Sequence, residues 1–69
     1  MKKEQLLKKL GNRIREIRTE KGMSQAELAN SINKDQQSVQ RLEAGKVNPS
    51  VYFLFEVAQG LQIELVELL

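Results

Sequence analysis

Residues 24–45 read SQAELANSINKDQQSVQRLEAG, and this stretch decides the fold. It opens with Ser24 and, three positions later, Glu27, which is the pattern of a capping box. In such a box each side chain accepts a hydrogen bond from a free backbone N–H at the start of a helix. Leu28 then supplies the first large apolar side chain of a helical repeat. We predict a short helix that begins after Ser24 and ends near Ser31.

A tight turn is expected to separate this helix from a second one. Asn33 is a residue type that tolerates a left-handed backbone, and Asp35 is a strong N-cap. The second helix is predicted over 36–44 with Gly45 as its stop, and the small Ala29 lets the two helices approach. Two short helices joined by such a turn form a helix-turn-helix, which presents its second helix to the major groove of DNA.

The second of these helices has one apolar side and one polar side. At about 100° per residue, Val39 and Leu42 lie on the apolar side. The opposite sector holds Gln36, Gln37, Gln40 and Arg41. Solvated helix faces usually mix Glu and Lys, whereas this sector contains no acid. Because Gln pairs with adenine and Arg with guanine through two hydrogen bonds each, we predict that these side chains read bases. An ordinary solvated face is the alternative.

Helical periodicity continues on the N-terminal side, where an amphipathic helix is predicted from Lys3 to Lys21 with Gly22 as its stop. Its apolar arc consists of Leu6, Leu7, Leu10, Ile14 and Ile17. Gly11 lies inside this helix, and glycine in a helix interior costs about 1 kcal/mol relative to alanine. The first ten residues are therefore expected either to fray or to form a separate turn, with residues 1–7 as the frayed N-terminal extension.

On the C-terminal side a fourth helix is predicted after Pro49, with Ser50 as its N-cap. Its buried residues are predicted to be Val51, Leu54, Ala58 and Leu61. Gly60 lies inside this helix and Gln62 occupies the position where a left-handed residue is expected, so the helix end is placed only to within two residues. A short fifth helix is predicted at 65–69. Because no run alternates like a β-strand, we predict an all-α, compact five-helix fold, with the whole chain as one domain and the helix-turn-helix at helices 2 and 3.

The composition narrows the class of function. Of the 69 residues, 41% are apolar, which suffices for one modest core. Cys and His are absent, which excludes disulfides, thiolate chemistry, imidazole metal sites and the commonest general base. The carboxylate pair Glu64 and Glu67 is better explained as favourable charge at a helix start. We therefore expect no enzyme activity, no metal and no cofactor.

Charge is distributed unevenly along the chain, although the net charge is only +2. Residues 1–34 carry nine Lys and Arg and four Glu, whereas residues 35–69 carry two Lys and Arg and five acidic residues. A basic half suits a protein that meets a polyanion on one side. No apolar run approaches the roughly 20 residues of a membrane span, so a cytoplasmic protein without a membrane partner is expected.

Four sequence motifs of the chain, taken together, are typical of one protein family. They are LGNRIREIR at 10–18, GMSQAELA at 22–29, QRLEAGK at 40–46 and NPS at 48–50. With these motifs the chain resembles the Cro/repressor-type (XRE-like) helix-turn-helix family over residues 8–69. The resemblance implies a small transcriptional regulator, and specifically a repressor, that reads the major groove of double-stranded DNA with its third helix.

The resemblance also implies roles for individual residues. It assigns base reading to Gln36, Gln37, Gln40 and Arg41, in a helix that looks like the recognition helices of some lambdoid phage repressors. It assigns contacts with DNA phosphates to Ser24, Gln25 and Lys46. It further implies a partly buried ion pair between Arg18 and Glu43 that ties the first helix to the third.

Tyr52 and Phe53 fall outside the apolar arc of the fourth helix. They are expected to form an exposed apolar patch with Val57, Leu65, Val66, Leu68 and Leu69. Such patches often mark an interface, so our hypothesis is a homodimer on a pseudo-palindromic operator; ordinary exposure of apolar atoms in a small domain is the alternative. A second hypothesis for the function is a protein-interaction module, such as an antitoxin or co-regulator, that uses this surface of helices 4 and 5. No small-molecule ligand is expected, since no sensing domain accompanies the motif.

Overall fold

The computed structural model describes residues 1–69, which form four α-helices and one 3-10 helix. The α-helices are α1 (Lys3–Glu20), α2 (Gln25–Ser31), α3 (Gln36–Glu43) and α4 (Val51–Leu61), and the 3-10 helix is Leu65–Leu68. The chain contains no strand. The all-α prediction is therefore confirmed. The bounds of α2 and α3 and the start of α4 agree with the predicted helices to within a residue.

The predicted fifth helix is present but its type was wrong, because residues 65–68 form a 3-10 helix and not an α-helix. The N–H of Glu67 donates to the carbonyl oxygen of Glu64, and the N–H of Leu69 donates to that of Val66, each three residues back. The segment has four residues. An α-helix of that length leaves most of its backbone groups unpaired, whereas the tighter 3-10 pitch closes each hydrogen bond one residue sooner.

The hydrophobic core is one cluster of twelve buried side chains drawn from every helix. Its members are Ile14, Ile17, Leu28, Ala29, Ile32, Val39, Leu42, Leu54, Val57, Ala58, Leu61 and Leu68. Helix α2 packs against α3, α1 covers α3, and α4 covers α2. The helix-turn-helix is thus held between its two neighbours. No helix combines the length and the apolar character that crossing a membrane would need.

Helix α1 is continuous from Lys3 through Gly11, so the separate turn that was one expectation for the first ten residues is absent. Gly11 is buried against the C-terminal turn of α3. A Cβ atom at this position would lie 2.6 Å from the carbonyl oxygen of Leu42 and would also overlap the carbonyl group of Glu43. The glycine that weakens the helix locally is therefore the residue that lets α1 and α3 approach.

Helix α4 buries a stripe that differs from the predicted one at two positions. Leu54, Val57, Ala58 and Leu61 face the core, with the i, i+3, i+4, i+7 spacing of one helix face. Val57 is fully buried, whereas Val51 is 72% exposed. The predicted burial of Val51 and the predicted exposure of Val57 are both wrong. Val51 is the first residue of the helix, and the buried stripe begins one turn later at Leu54.

The start of α4 forms as predicted, and its end, which the sequence left open between Gly60 and Gln62, lies at Leu61. The hydroxyl of Ser50 accepts a hydrogen bond of 3.0 Å from the N–H of Phe53, and Gln62 adopts the left-handed conformation with φ of 60°. Gly60 faces α2, where an added Cβ would lie 2.7 Å from the side chains of Ile32 and Ser31. This glycine, like Gly11, allows two helices to pack closely.

Candidate nucleic-acid interface

The capping box at the start of α2 is present. The N–H of Glu27 donates to the hydroxyl of Ser24 over 3.0 Å, and the N–H of Ser24 donates to the Glu27 carboxylate over 2.8 Å. The hydrogen bond from the Ser24 backbone N–H is the main cause that lowers the pKa of Glu27, and the Ser24 side chain contributes in the same direction. Both side chains are exposed, so the start of α2 is ordered by local contacts and remains open to solvent.

The turn between α2 and α3 adopts the predicted left-handed backbone. Asn33 has φ of 58°, and the N–H of Lys34 closes the turn by donating to the carbonyl oxygen of Ala29 over 2.9 Å. Asp35 then caps α3, because its carboxylate accepts from both the hydroxyl and the N–H of Ser38, over 2.7 and 2.9 Å. Those two hydrogen bonds lower the pKa of Asp35. The start of the predicted reading helix is thereby defined.

The turn is also attached to α4 through the side chain of Lys34. Its ammonium nitrogen lies 3.8 Å from a carboxylate oxygen of Glu56 and 5.9 Å from the centre of the Phe53 ring. A cation–π contact at an exposed site stabilises by about 0.5–1 kcal/mol, and an ion pair near the surface by about 0–1 kcal/mol. They help to hold the start of α3 in one orientation relative to α4.

Helix α3 separates its polar and apolar sides as predicted. Val39 and Leu42 are buried in the core. All four predicted base-reading side chains are exposed, namely Gln36, Gln37, Gln40 and Arg41. A helix has the diameter that fits the major groove. The structure thus brings three amide groups and one guanidinium together on a single open helix face.

The three predicted phosphate residues lie in different surroundings. Ser24 is exposed, and its hydroxyl already accepts the capping hydrogen bond. Lys46 is exposed and follows Gly45, which ends α3 with φ of 72°. Gln25 is half-buried, and its side-chain nitrogen donates to a carboxylate oxygen of Glu43 over 3.1 Å. The contact of Gln25 with Glu43 was not predicted, because the two residues are distant in sequence and no local pattern links them.

Arg18 and Glu43 form a bidentate ion pair between α1 and α3. The guanidinium Nε and Nη2 atoms donate to the two carboxylate oxygens over 2.6 and 2.9 Å, and Nη1 donates to the carbonyl oxygen of Met23 over 2.8 Å. The side chains are 9% and 3% exposed. The hydrogen bond to Glu43 raises the pKa of Arg18. The pair joins α1, α3 and the segment that enters α2.

An exposed apolar surface exists on α4 and the C-terminus, but its membership differs from the predicted patch. The large apolar side chains that stand exposed in this part of the chain are Val51, Tyr52, Phe55, Val66 and Leu69. Phe53 and Leu65 are half-buried, and Leu68, like Val57, is buried in the core, so their predicted exposure is wrong. Phe55 was missed, although its spacing from Val51 and Tyr52 places all three on one helix face.

Within that surface the rings of Tyr52 and Phe55 lie 6.1 Å apart in a tilted arrangement. Offset or tilted aromatic pairs of this separation attract one another. Their outer faces remain in solvent, with 68% of Tyr52 and 42% of Phe55 exposed. This apolar surface is the second candidate contact region of the molecule. No cluster of acidic side chains is placed to hold a metal ion.

Comparison with known proteins gives concordant results. The family model described as Helix-turn-helix matches residues 14–68. An HTH-type transcriptional regulator of Sinorhizobium fredii is 39% identical over 61 residues, which are 88% of this chain and 79% of that protein. The restriction-modification controller protein C.AhdI from Aeromonas hydrophila has a TM-score of 0.89 and 41% identity, over 91% of this chain and 96% of that one.

A second restriction-modification controller, C.Esp1396I, was solved as a tetramer in complex with its natural 35 base-pair operator. Its structure matches with a TM-score of 0.85 and 33% identity, over 91% of this chain and 83% of that one.

Proposed function

This chain belongs to the helix-turn-helix family of transcriptional regulators, and from that membership we propose that it represses transcription by binding one specific double-stranded DNA sequence. The observation that carries the proposal is the open face of α3, where three Gln and one Arg stand exposed on a helix capped by Asp35. Seated in the major groove, these side chains meet base edges that differ for each base pair. The function proposed is binding and not catalysis.

Selection of bound duplexes from a random DNA pool tests this function directly. We expect the enriched sequences to share base preferences at a few positions, arranged as two related half-sites. Recovery of no enriched sequence, together with a stoichiometric protein partner in a pull-down, would favour the alternative of an interaction module that uses the apolar surface of α4.

Gln37→Ala is expected to weaken binding to the selected DNA site about 5- to 150-fold, since each base-reading pair contributes about 1–3 kcal/mol of discrimination. Binding to unrelated DNA should change little. Fluorescence anisotropy with both DNAs measures the two dissociation constants. Gln59→Ala, an exposed glutamine on α4, is the matched control. Equal losses on both DNAs would contradict a base-reading role for Gln37.

Lys46→Ala is expected to weaken binding to specific and unrelated DNA alike, because a phosphate contact carries no sequence information. The slope of log Kd against log salt should fall by about one, as measured by titrations at several salt concentrations. Lys9→Ala is the matched control, because it removes the same charge from α1. Lys9 lies two residues before Gly11 and therefore on the opposite side of that helix from α3. An unchanged slope for Lys46→Ala would remove this residue from the proposed interface.

We infer that the apolar surface of α4 pairs two copies of the chain. The exposed residues Val51, Tyr52 and Phe55 support this, and the tetrameric assembly of C.Esp1396I on its operator agrees with it. A dimer would present two α3 helices about 34 Å apart, one turn of DNA. Sedimentation equilibrium at micromolar concentration is expected to show a dimer that Tyr52→Glu dissociates. A natural chain that stays monomeric would refute this pairing.

A further inference from the structure

We propose that the Arg18–Glu43 ion pair orients the side chain of Gln25 for DNA binding, so that Glu43 is a positioning residue for a phosphate contact. The inference rests on the proposed function, which assigns Gln25 to a DNA phosphate. Its starting observation is the hydrogen bond of 3.1 Å from the Gln25 amide nitrogen to Glu43. This hydrogen bond joins Gln25, the predicted phosphate residue, to the buried Arg18–Glu43 pair.

The carboxylate of Glu43 is held firmly before Gln25 contacts it. One of its oxygens accepts from Arg18 Nε over 2.6 Å, and the other accepts from Arg18 Nη2 over 2.9 Å. The carboxylate side chain is 3% exposed. A fork of two parallel hydrogen bonds sets the direction of both groups, and burial leaves the pair little room to reorient. The oxygen that accepts from Gln25 therefore has one defined position.

The Gln25 amide has one more N–H than Glu43 uses. A glutamine side chain carries two N–H donors on one planar amide group. Once one of them is bound to a fixed oxygen and the side chain is anchored at its own backbone, the planarity of the group confines the second N–H to a narrow range of directions. Gln25 is half-buried at the first position of α2, so its amide lies between the buried ion pair and solvent. The second N–H is the group that we assign to the phosphate.

Arg18 supports this arrangement in two further ways. Its Nη1 atom donates to the carbonyl oxygen of Met23, which holds the backbone two residues before Gln25. Its positive charge also balances Glu43, which if unpaired would repel a phosphate. Side chains that are ordered before binding lose less conformational freedom on binding. Orientation by the ion pair is expected to improve DNA affinity about three- to tenfold.

The test separates orientation from stability by replacing the ion pair with apolar residues. The double variant Arg18→Met with Glu43→Leu removes both charges together, and such replacements often preserve stability. We expect it to remain folded in thermal melts and to bind DNA three- to tenfold more weakly. Gln25→Ala should cost about tenfold in the natural chain but less than twofold in the apolar background. An equal cost of Gln25→Ala in both backgrounds would overturn the proposal.

Lys46→Ala serves as the reference in both backgrounds, since Lys46 has no hydrogen bond to the pair, and it should cost the same factor in each. If neither Gln25→Ala nor Lys46→Ala weakens DNA binding in the natural chain, the proposed function fails and not merely the positioning role. If the double variant unfolds, the orientation of Gln25 can still be tested by NMR on the natural chain. The NMR order parameter of the Gln25 side-chain amide should exceed those of Gln37 and Gln40, and equal mobility would refute the orientation.

Discussion

Glu43→Ala is expected to lower the free energy of unfolding by about 3–5 kcal/mol, because it leaves the buried guanidinium of Arg18 without its carboxylate. At roughly 0.05–0.15 kcal/mol per residue, a chain of 69 residues has a total stability of about 3.5–10 kcal/mol. The substitution is therefore expected to remove a large share of that stability. Urea denaturation followed by circular dichroism measures the change.

The double variant Arg18→Met with Glu43→Leu is the control for this prediction. It removes the Glu43 carboxylate and also the Arg18 guanidinium that needs this partner. We therefore expect the double variant to be more stable than Glu43→Ala alone. If Glu43→Ala alone lowers the free energy of unfolding by less than about 1 kcal/mol, the pair contributes no more than an exposed surface ion pair does. That result would contradict the burial of both side chains in the structure.

Gly11→Ala is expected to destabilise the fold by about 1–3 kcal/mol, although alanine favours an isolated helix by about 1 kcal/mol over glycine. The added Cβ would overlap the carbonyl groups at the end of α3, and these are backbone atoms that cannot rotate away. Helix α1 must then move away from α3, which also stretches the Arg18–Glu43 pair. The midpoint of urea denaturation reports the change.

Asn12→Ala is the matched control for Gly11→Ala, since Asn12 is the next residue of α1 and is exposed. This substitution should leave stability unchanged or raise it slightly, as helix propensity predicts. Stabilisation by both substitutions would mean that α1 does not approach α3 as closely as the structure shows.

The predictions for Glu43→Ala and Gly11→Ala concern the same contact region, which lies between α1 and the C-terminal end of α3. Gly11 brings α1 against the end of α3, and seven residues later Arg18 reaches Glu43 from the same helix. Both contacts set the tilt of α3, the helix proposed to read DNA. Substitutions in this contact region are therefore expected to alter DNA affinity through the orientation of α3, in addition to their effect on stability.

Local structure was predictable wherever neighbouring residues decide it. The capping box of Ser24 and Glu27, the cap at Asp35 and the left-handed residues Asn33 and Gln62 all form as predicted. Each depends on hydrogen bonds or backbone preferences within about four residues, so a short stretch contains all the relevant groups. The open polar face of α3 follows from the same helical period.

Contacts between distant residues were predictable only in part. The Arg18–Glu43 pair was expected from a family resemblance, whereas the hydrogen bond from Gln25 to Glu43 and the close approach at Gly11 were not expected at all. The predicted environments of Val51 and Val57 were wrong because each lies three residues from Leu54, so the helical period alone does not show which of the two faces the core. The composition of the apolar surface changed for the same reason.

The stretch from Ser24 to Gly45 thus contains enough information to specify two capped helices, the turn between them and a polar face on the second. These features arise from short-range hydrogen bonds and from helical period. The angle at which α1 meets α3, the orientation of the Gln25 amide and the membership of the apolar surface depend on folding of the whole chain. They arise from packing and from one buried ion pair, which bring together residues that no local pattern connects.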